Sequence, residues 1–320
     1  MKTVHLVDPE LRPLLALMPE RILEASVLPA MREERQRAAL QNLSQDDGLD
    51  VAVTGHLIDG AEGTPPVRVA IISPRNAGAG RMGILHIHGG GYVLGSPEQS
   101  MPLTRPTVAE QGCVIVSVDY RLAPETPFPG PLEDCYTALV WMAEHAGALG
   151  IDPQHIGVMG DSAGAGLAAA LALLARDRGG PKLAFQNLMY PMLDDRTVTE
   201  PDPNPVTGEF AWTRANNQFG WHAFLGIEPG GEDVSFYAAA ARAENLNGLP
   251  PAWIGVGSID LFLDENIEYA RRLLRAGVPV ELSVYPGGFH GFNGDATVAL
   301  ARRAREQRQN ALSFFNPLRQ

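Results

Sequence analysis

Two residues of this 320-residue chain stand out as able to do chemistry: a serine set between glycines and a histidine far downstream. The serine lies in Gly160-Asp161-Ser162-Ala163-Gly164, directly after the apolar run Ile156–Met159 and before an alanine- and leucine-rich stretch. In a strand, sharp turn, helix context this is a nucleophile elbow, a turn so tight that strand and helix nearly touch. A Cβ at Gly160 or Gly164 is expected to collide there. Ser162 is expected to sit in an unfavourable backbone conformation that exposes its Oγ, with a helix N-terminus behind it that favours developing negative charge.

A hydroxyl becomes a nucleophile when a base takes its proton, and only His222 and His290 follow Ser162. His222 lies in an aromatic-rich segment, a poor place for a base. His290 lies in Pro286-Gly287-Gly288-Phe289-His290-Gly291-Phe292, just past the strand-like run Val280–Tyr285, and is the expected base. Two carboxylates could orient its imidazole, since Asp260 and Asp264 both follow the run Trp253–Gly257. Asp264 has an ordinary occupation available, capping the helix through Ile267, Ala270 and Leu274. Asp260 stands nearer the strand end and is preferred. Asp161 adjoins the nucleophile, but its side chain is expected to point elsewhere.

Attack on a carbonyl creates an oxyanion, and His88-Gly89-Gly90-Gly91 supplies what that charge needs. Consecutive glycines let backbone N–H groups turn inward without side-chain obstruction. Gly89, Gly90 and the N–H of Ala163 are the expected oxyanion donors, each worth about 3 kcal/mol of barrier. His86 and His88 share a strand face, but no third ligand stands at a sensible spacing, so neither metal nor cofactor is expected. His88 is expected to bond to backbone and brace the glycine loop. The expected chemistry is acyl transfer, with a small-molecule ester as the expected substrate.

The elements that must position these residues follow a regular rhythm. Strand candidates are Val51–Ile58, Val67–Ile72, Ile84–His88, Val114–Val118, Ile156–Gly160, Phe185–Tyr190, Trp253–Gly257 and Val280–Tyr285. The first two lie close enough for an antiparallel pair, and helix-length segments separate the later ones. This predicts an α/β fold: an eight-stranded, mostly parallel sheet flanked by helices. Two segments break the rhythm. Leu11 to Asn42 reads as helix with breaks at Pro13, Pro19 and Pro29, and 192–231 opens with Pro201, Pro203 and Pro205 before Phe210, Trp212, Phe219, Trp221 and Phe224. The expected organisation is a cap from 1–45 and 192–231 over a catalytic body from 46–191 and 232–320. Tyr92, Trp212 and Phe219 are expected to line the substrate pocket. The plainer alternative is that the aromatics only pack the insertion onto the body.

With 45% hydrophobic and 19% charged residues the composition is that of a globular protein. A formal net charge of -12 disfavours nucleic acid and anionic lipid as partners. The first ten residues carry no apolar signal region, and the most apolar stretch, Leu167–Ala175, is too short to span a bilayer. Cys113 and Cys135 read as reduced core thiols, so a cytoplasmic location is the expectation.

Together these residues resemble the hormone-sensitive lipase family of esterases, the bacterial family IV group of the α/β-hydrolase superfamily. The matching stretches are His88-Gly89-Gly90-Gly91-Tyr92, Asp119-Tyr120-Arg121-Leu122-Ala123-Pro124-Glu125, Gly160-Asp161-Ser162-Ala163-Gly164, Asp260 with Asp264-Glu265, and His290-Gly291-Phe292. The resemblance implies a carboxylesterase with Ser162, Asp260 and His290 as triad, acting on short- to medium-chain acyl esters through an acyl-enzyme. Members often carry Asp-Pro-Leu at the acid, where this chain has Asp260-Leu261-Phe262. The stretch from Asp119 to Glu125 reads as scaffolding. Many members pair as homodimers through the edge strand, here Val280–Tyr285. The rival readings are a peptidase, amidase or thioesterase on the same triad and a non-catalytic small-molecule receptor, against which His290 argues.

Overall fold

The computed structural model describes residues 2–16, 22–43, 48–76 and 78–319. Its centre is an eight-stranded sheet: β1 (Val51–Ile58), β2 (Val67–Pro74), β3 (Arg81–Ile87), β4 (Val114–Asp119), β5 (Ile151–Asp161), β6 (Gln186–Met189), β7 (Ala252–Gly257) and β8 (Val280–Tyr285), in the order β1-β2-β4-β3-β5-β6-β7-β8. The β1–β2 and β2–β4 pairs are antiparallel, and every later pair is parallel. The expected architecture is the one found.

Strands in the middle are apolar on both faces because both faces are covered. Val114, Val116 and Val118 of β4 join one core, while Cys113 and Ile115 join the opposite one. The first core includes α4 (Gly130–Glu144), α5 (Ala163–Asp177) and α7 (Leu263–Arg275), and the second includes α3 (Met101–Gln111) and α8 (Ala299–Phe314). Every residue of α5 from Ala163 to Ala175 is buried, so this helix lacks a polar face in its first three turns. Burial pushes the Cys113 thiol up to about 12 and also raises that of Cys135. Both cysteines are core residues.

Among its described residues the N-terminal stretch forms two α-helices, α1 (Arg12–Leu15) and α2 (Leu28–Leu43). Pro13 and Pro29 each stand second in their helix, where the missing N–H has no acceptor to lose. They open helices; they do not break one. Pro19 and the expected boundary at residue 45 lie outside the described residues. In the insertion, α6 (Arg214–Leu225) starts at Thr213, whose side chain caps the N–H of Asn216, and stops at Gly226 in the left-handed conformation.

Asp264 does not cap α7. Phe262 holds the N-cap position and Asp264 falls in the first turn, with its carboxylate accepting from the Nδ2 of Asn204 at 3.1 Å. Glu265, one residue on, is buried and accepts from the N–H of Leu193 at 2.6 Å and from the hydroxyl of Thr197. Burial, with the nearby Asp194, raises its carboxyl well above the ordinary range, and the bonds it accepts only partly oppose that. Both acids thus anchor the insertion to the body.

Candidate active site

The elbow forms where β5 meets α5. Ser162 has φ 57° and ψ -126°, a region costly for a residue with a Cβ. Its N–H donates to the carbonyl of Met189 at 2.9 Å. The flanking glycines are required sterically: a Cβ on Gly164 would lie 2.2 Å from the Ile87 carbonyl oxygen, and one on Gly160 would lie 2.5 Å from Gly164 backbone.

His290 comes from the loop after β8, and its Nε2 lies 2.8 Å from Ser162 Oγ. Its Nδ1 lies 2.9 Å from Asp260 Oδ2 and 3.2 Å from Oδ1. An ionised carboxylate only accepts, so Nδ1 carries the ring proton and the Nε2 lone pair faces the serine hydroxyl, which donates to it. Asp260 is fully buried in the turn after β7, where Oδ1 also accepts from the N–H of Phe262 at 3.0 Å. The imidazole is walled by Tyr190, its ring centroid 4.5 Å away, and by Phe262, edge-on at 5.1 Å. The structure brings Ser162, His290 and Asp260 into one chain of hydrogen bonds. Asp264 is elsewhere, and His222 sits beside Glu228 at 3.1 Å on the surface.

The glycine loop abuts the elbow. A Cβ on Gly89 would meet the Asp161 carbonyl oxygen at 2.7 Å and Ser162 Cβ at 3.3 Å. The N–H groups of Gly89, Gly90 and Ala163 donate to no acceptor among the described residues. Gly91, at φ 61°, serves another contact, because a Cβ there would lie 2.1 Å from Trp212 Cη2. His88 Nδ1 lies 2.9 Å from the Gly89 carbonyl and its ring stacks on Tyr120 at 4.2 Å, while the Tyr120 hydroxyl donates to the His88 carbonyl. His86 Nδ1 lies 2.8 Å from Ser117 Oγ. Burial lowers both imidazoles below their ordinary value, so both are neutral. No group of three His, Cys, Asp or Glu side chains suited to a metal occurs among the described residues.

A cavity of about 560 Å³ opens over Ser162 and His290, with Leu23, Met31, Tyr190 and Trp212 among its walls. A larger one of about 740 Å³ lies between α2 and α3 and touches neither reacting side chain, so chemistry identifies the site where size does not. Tyr92 and Phe219 do not line the cavity at the serine, which corrects the expectation for both. Tyr92 is fully buried, its ring stacked on Phe224 at 4.0 Å and its hydroxyl donating to the Met192 carbonyl at 3.2 Å. Phe219 packs against the main core. The insertion's aromatics thus divide, with Trp212 facing the cavity and Trp221 and Phe224 packing the insertion down.

Sequence reasoning missed Tyr190 and Arg32. Tyr190 follows β6 at a φ of 37°, and the only local hint was its place before a proline. Arg32 on α2 donates to the carbonyls of Val93 and Ala123 and forks onto Glu125, tying that helix to the chain beyond the glycine loop. The 119–125 stretch is scaffolding in contact terms: Asp119 pairs with Arg68 at 2.7 Å and Arg121 with Asp134 at 2.7 Å.

A family model of the alpha/beta hydrolase fold, Abhydrolase_3, matches residues 84–294. The chain is 39% identical over 230 residues to the carboxylesterase NlhH of Mycobacterium tuberculosis, covering 68% of each. It is 35% identical over 301 residues to the esterase LipI of the same organism, covering 92% of this chain and 90% of LipI. Among solved structures, a bacterial heroin esterase is similar with a TM-score of 0.91 at 40% identity, covering 97% of this chain and 98% of that one. Esterase LipW from Mycobacterium marinum matches with a TM-score of 0.86 at 33% identity, covering 98% and 97%.

Proposed function

The chain belongs to the α/β-hydrolase family of hormone-sensitive lipase-like esterases and is a carboxylic ester hydrolase, and from that footing we propose that it works through Ser162, His290 and Asp260 by way of an acyl-enzyme. One observation carries this reading: the continuous relay from Asp260 through His290 to Ser162, at 2.9 and 2.8 Å. Ser162 Oγ attacks the ester carbonyl carbon as its proton passes to His290 Nε2. The oxyanion so formed lies against the N–H groups of Gly89, Gly90 and Ala163. The imidazolium, steadied by Asp260, gives its proton to the departing alkoxide as the C–O bond breaks. Water then repeats the sequence on the acyl-enzyme and releases the acid and Ser162.

Short- to medium-chain acyl esters are the proposed substrates, because Trp212 and Met31 bound a cavity of about 560 Å³ around the serine. Residues 1–45 and the insertion at 192–231 act as its cap, a role supported by the bond from the Leu23 N–H to Asn216 Oδ1 at 2.9 Å. A homodimer through β8 is part of the same proposal, supported by the exposure of Leu282 and Val284 on that edge strand. Among the described residues no helix is long and apolar enough to cross a membrane.

The test is an acyl-length series of p-nitrophenyl esters, with a matched anilide and thioester alongside, and fluorophosphonate labelling of the parent. Labelling at Ser162 and a preference for esters of short to medium acids is the expected result. Turnover should decline on acidification, since an imidazolium cannot accept the serine proton. Full activity in Ser162→Ala would overturn the mechanism.

A further inference from the structure

We propose that α8 is a brace that sets the spacing between nucleophile and base, acting through two arginines on one of its turns, Arg308 and Arg305. The proposal rests on the assignment of Ser162 and His290 as the reacting pair. Arg308 is 1% exposed, and its fork is spent on the elbow. Nη1 donates to Asp161 Oδ1 at 2.8 Å, Nη2 to the Gly160 carbonyl at 3.1 Å, and Nε to Asn187 Oδ1 at 2.6 Å. Gly160 and Asp161 are the two residues leading into Ser162.

Arg305 holds the other partner's loop. Its Nε donates to the Asn293 carbonyl at 2.9 Å and its Nη2 to the Gly294 carbonyl at 2.6 Å, just beyond His290. Tyr190 closes the circuit, its hydroxyl donating to Asn293 Oδ1 at 2.7 Å while its ring flanks the imidazole. Residues three apart on a helix share a face. The elbow and the histidine loop therefore hang from one rigid turn, although 128 residues separate Ser162 from His290.

Two physical arguments make this more than packing. A buried ion pair contributes little net stability, since the desolvation of both charges offsets their attraction, and an apolar side chain would fill the space as well. A strained backbone such as that of Ser162 persists only where its surroundings over-determine it. A planar fork reaching one carboxylate, one carbonyl and one amide oxygen around the elbow does that, as a flexible ammonium cannot.

The test is steady-state kinetics with p-nitrophenyl acetate on Arg308→Lys, Arg308→Met, Arg305→Lys and the double lysine variant. Rates are expressed per active site titrated with a fluorophosphonate, so that only assembled sites count. Arg308→Lys should lower kcat per titrated site ~10- to 100-fold with KM within about twofold of the parent, as a small misplacement of reacting atoms does. Arg305→Lys should lower it a few-fold, and the pair together by more than either. Unchanged kcat per titrated site in both Arg308 variants, whatever their thermal midpoints, would overturn the brace. If the Arg308 variants do not fold, Asp161→Asn and Arg305→Lys decide, and parental kcat in both overturns it equally. A parent that takes no fluorophosphonate at Ser162 instead refutes the assignment of the reacting pair.

Discussion

The glycines around Ser162 are packed main chain against main chain, whereas Met31 and Trp212 reach the same cavity from segments tied down by side chains. On the floor, any atom added at Gly160, Gly164 or Gly89 meets a main-chain atom within 3 Å. In the roof, α2 is fastened by Arg32, and Leu23 hangs on Asn216. Main-chain contacts cannot be exchanged one at a time, because every residue carries the same groups. Side-chain ties can. The glycines around the elbow are thus the least replaceable part of this wall, and the segments bearing Met31 and Trp212 the more replaceable.

The sharpest way to break the floor is Ser162→Ala. It should lower kcat by about 10⁴-fold or more while leaving the thermal midpoint near that of the parent, as ester assays and a circular dichroism melt would show. Next in size is Gly164→Ala, which forces a methyl group to 2.2 Å from the Ile87 carbonyl oxygen. It should cost about 1–3 kcal/mol, read as a lower urea midpoint, and carry activity down with it. In the roof, Trp212→Ala should leave acetyl ester turnover within about threefold but raise the kcat/KM ratio of octanoyl over acetyl ester by roughly tenfold. An unchanged ratio would place the indole away from the acyl chain.

The smallest effect lies on the seam between the two regions. Glu98 accepts from Gln36 of α2 at 3.1 Å and from Arg68 of the body at 2.7 Å. Burial opposes its charge, but the Arg68 bond prevails and holds the carboxyl down to about 2, against an ordinary 4.5. A depressed carboxyl stabilises the fold fully above its unfolded value, and that stability is lost as pH falls towards the folded one. Arg68 is 38% exposed, so solvent screens the pair and its worth is about 1 kcal/mol. Glu98→Gln should therefore lower the neutral-pH midpoint slightly and flatten the acid loss between pH 4.5 and 2 in a pH series of melts.

The same division explains what could be read from the chain alone. The central strands were legible because burial on both faces writes continuous apolar runs, and the largely exposed edge strands β1 and β8 also fall at the residues expected. β5 departs most, beginning at Ile151 instead of Ile156, and β3 begins at Arg81 instead of Ile84. Ser162 and the glycines were legible because their geometry is local. Asp260 against Asp264 was half legible: both follow β7, and only the exact first residue of α7 decides which faces the imidazole. The roof was poorly legible because its contacts join distant residues. Tyr92 looked suited to the pocket from its place beside the glycines, but a φ of 65° accompanies its burial beneath Phe224. Nothing local announces that Arg32 will reach Ala123, or Arg308 the elbow.

Gly91 gives the junction a constraint on inheritance. The indole of Trp212 rests on bare main chain there, so the third glycine of the run is owed to the roof, while its two predecessors pack against the Asp161 and Leu94 carbonyls. A roof transplanted from a relative without a flat ring at that point would leave a hollow above the glycine, and a side chain introduced at 91 would evict the ring. The two must travel together, and a chimera that exchanges one without the other will inherit a misfit.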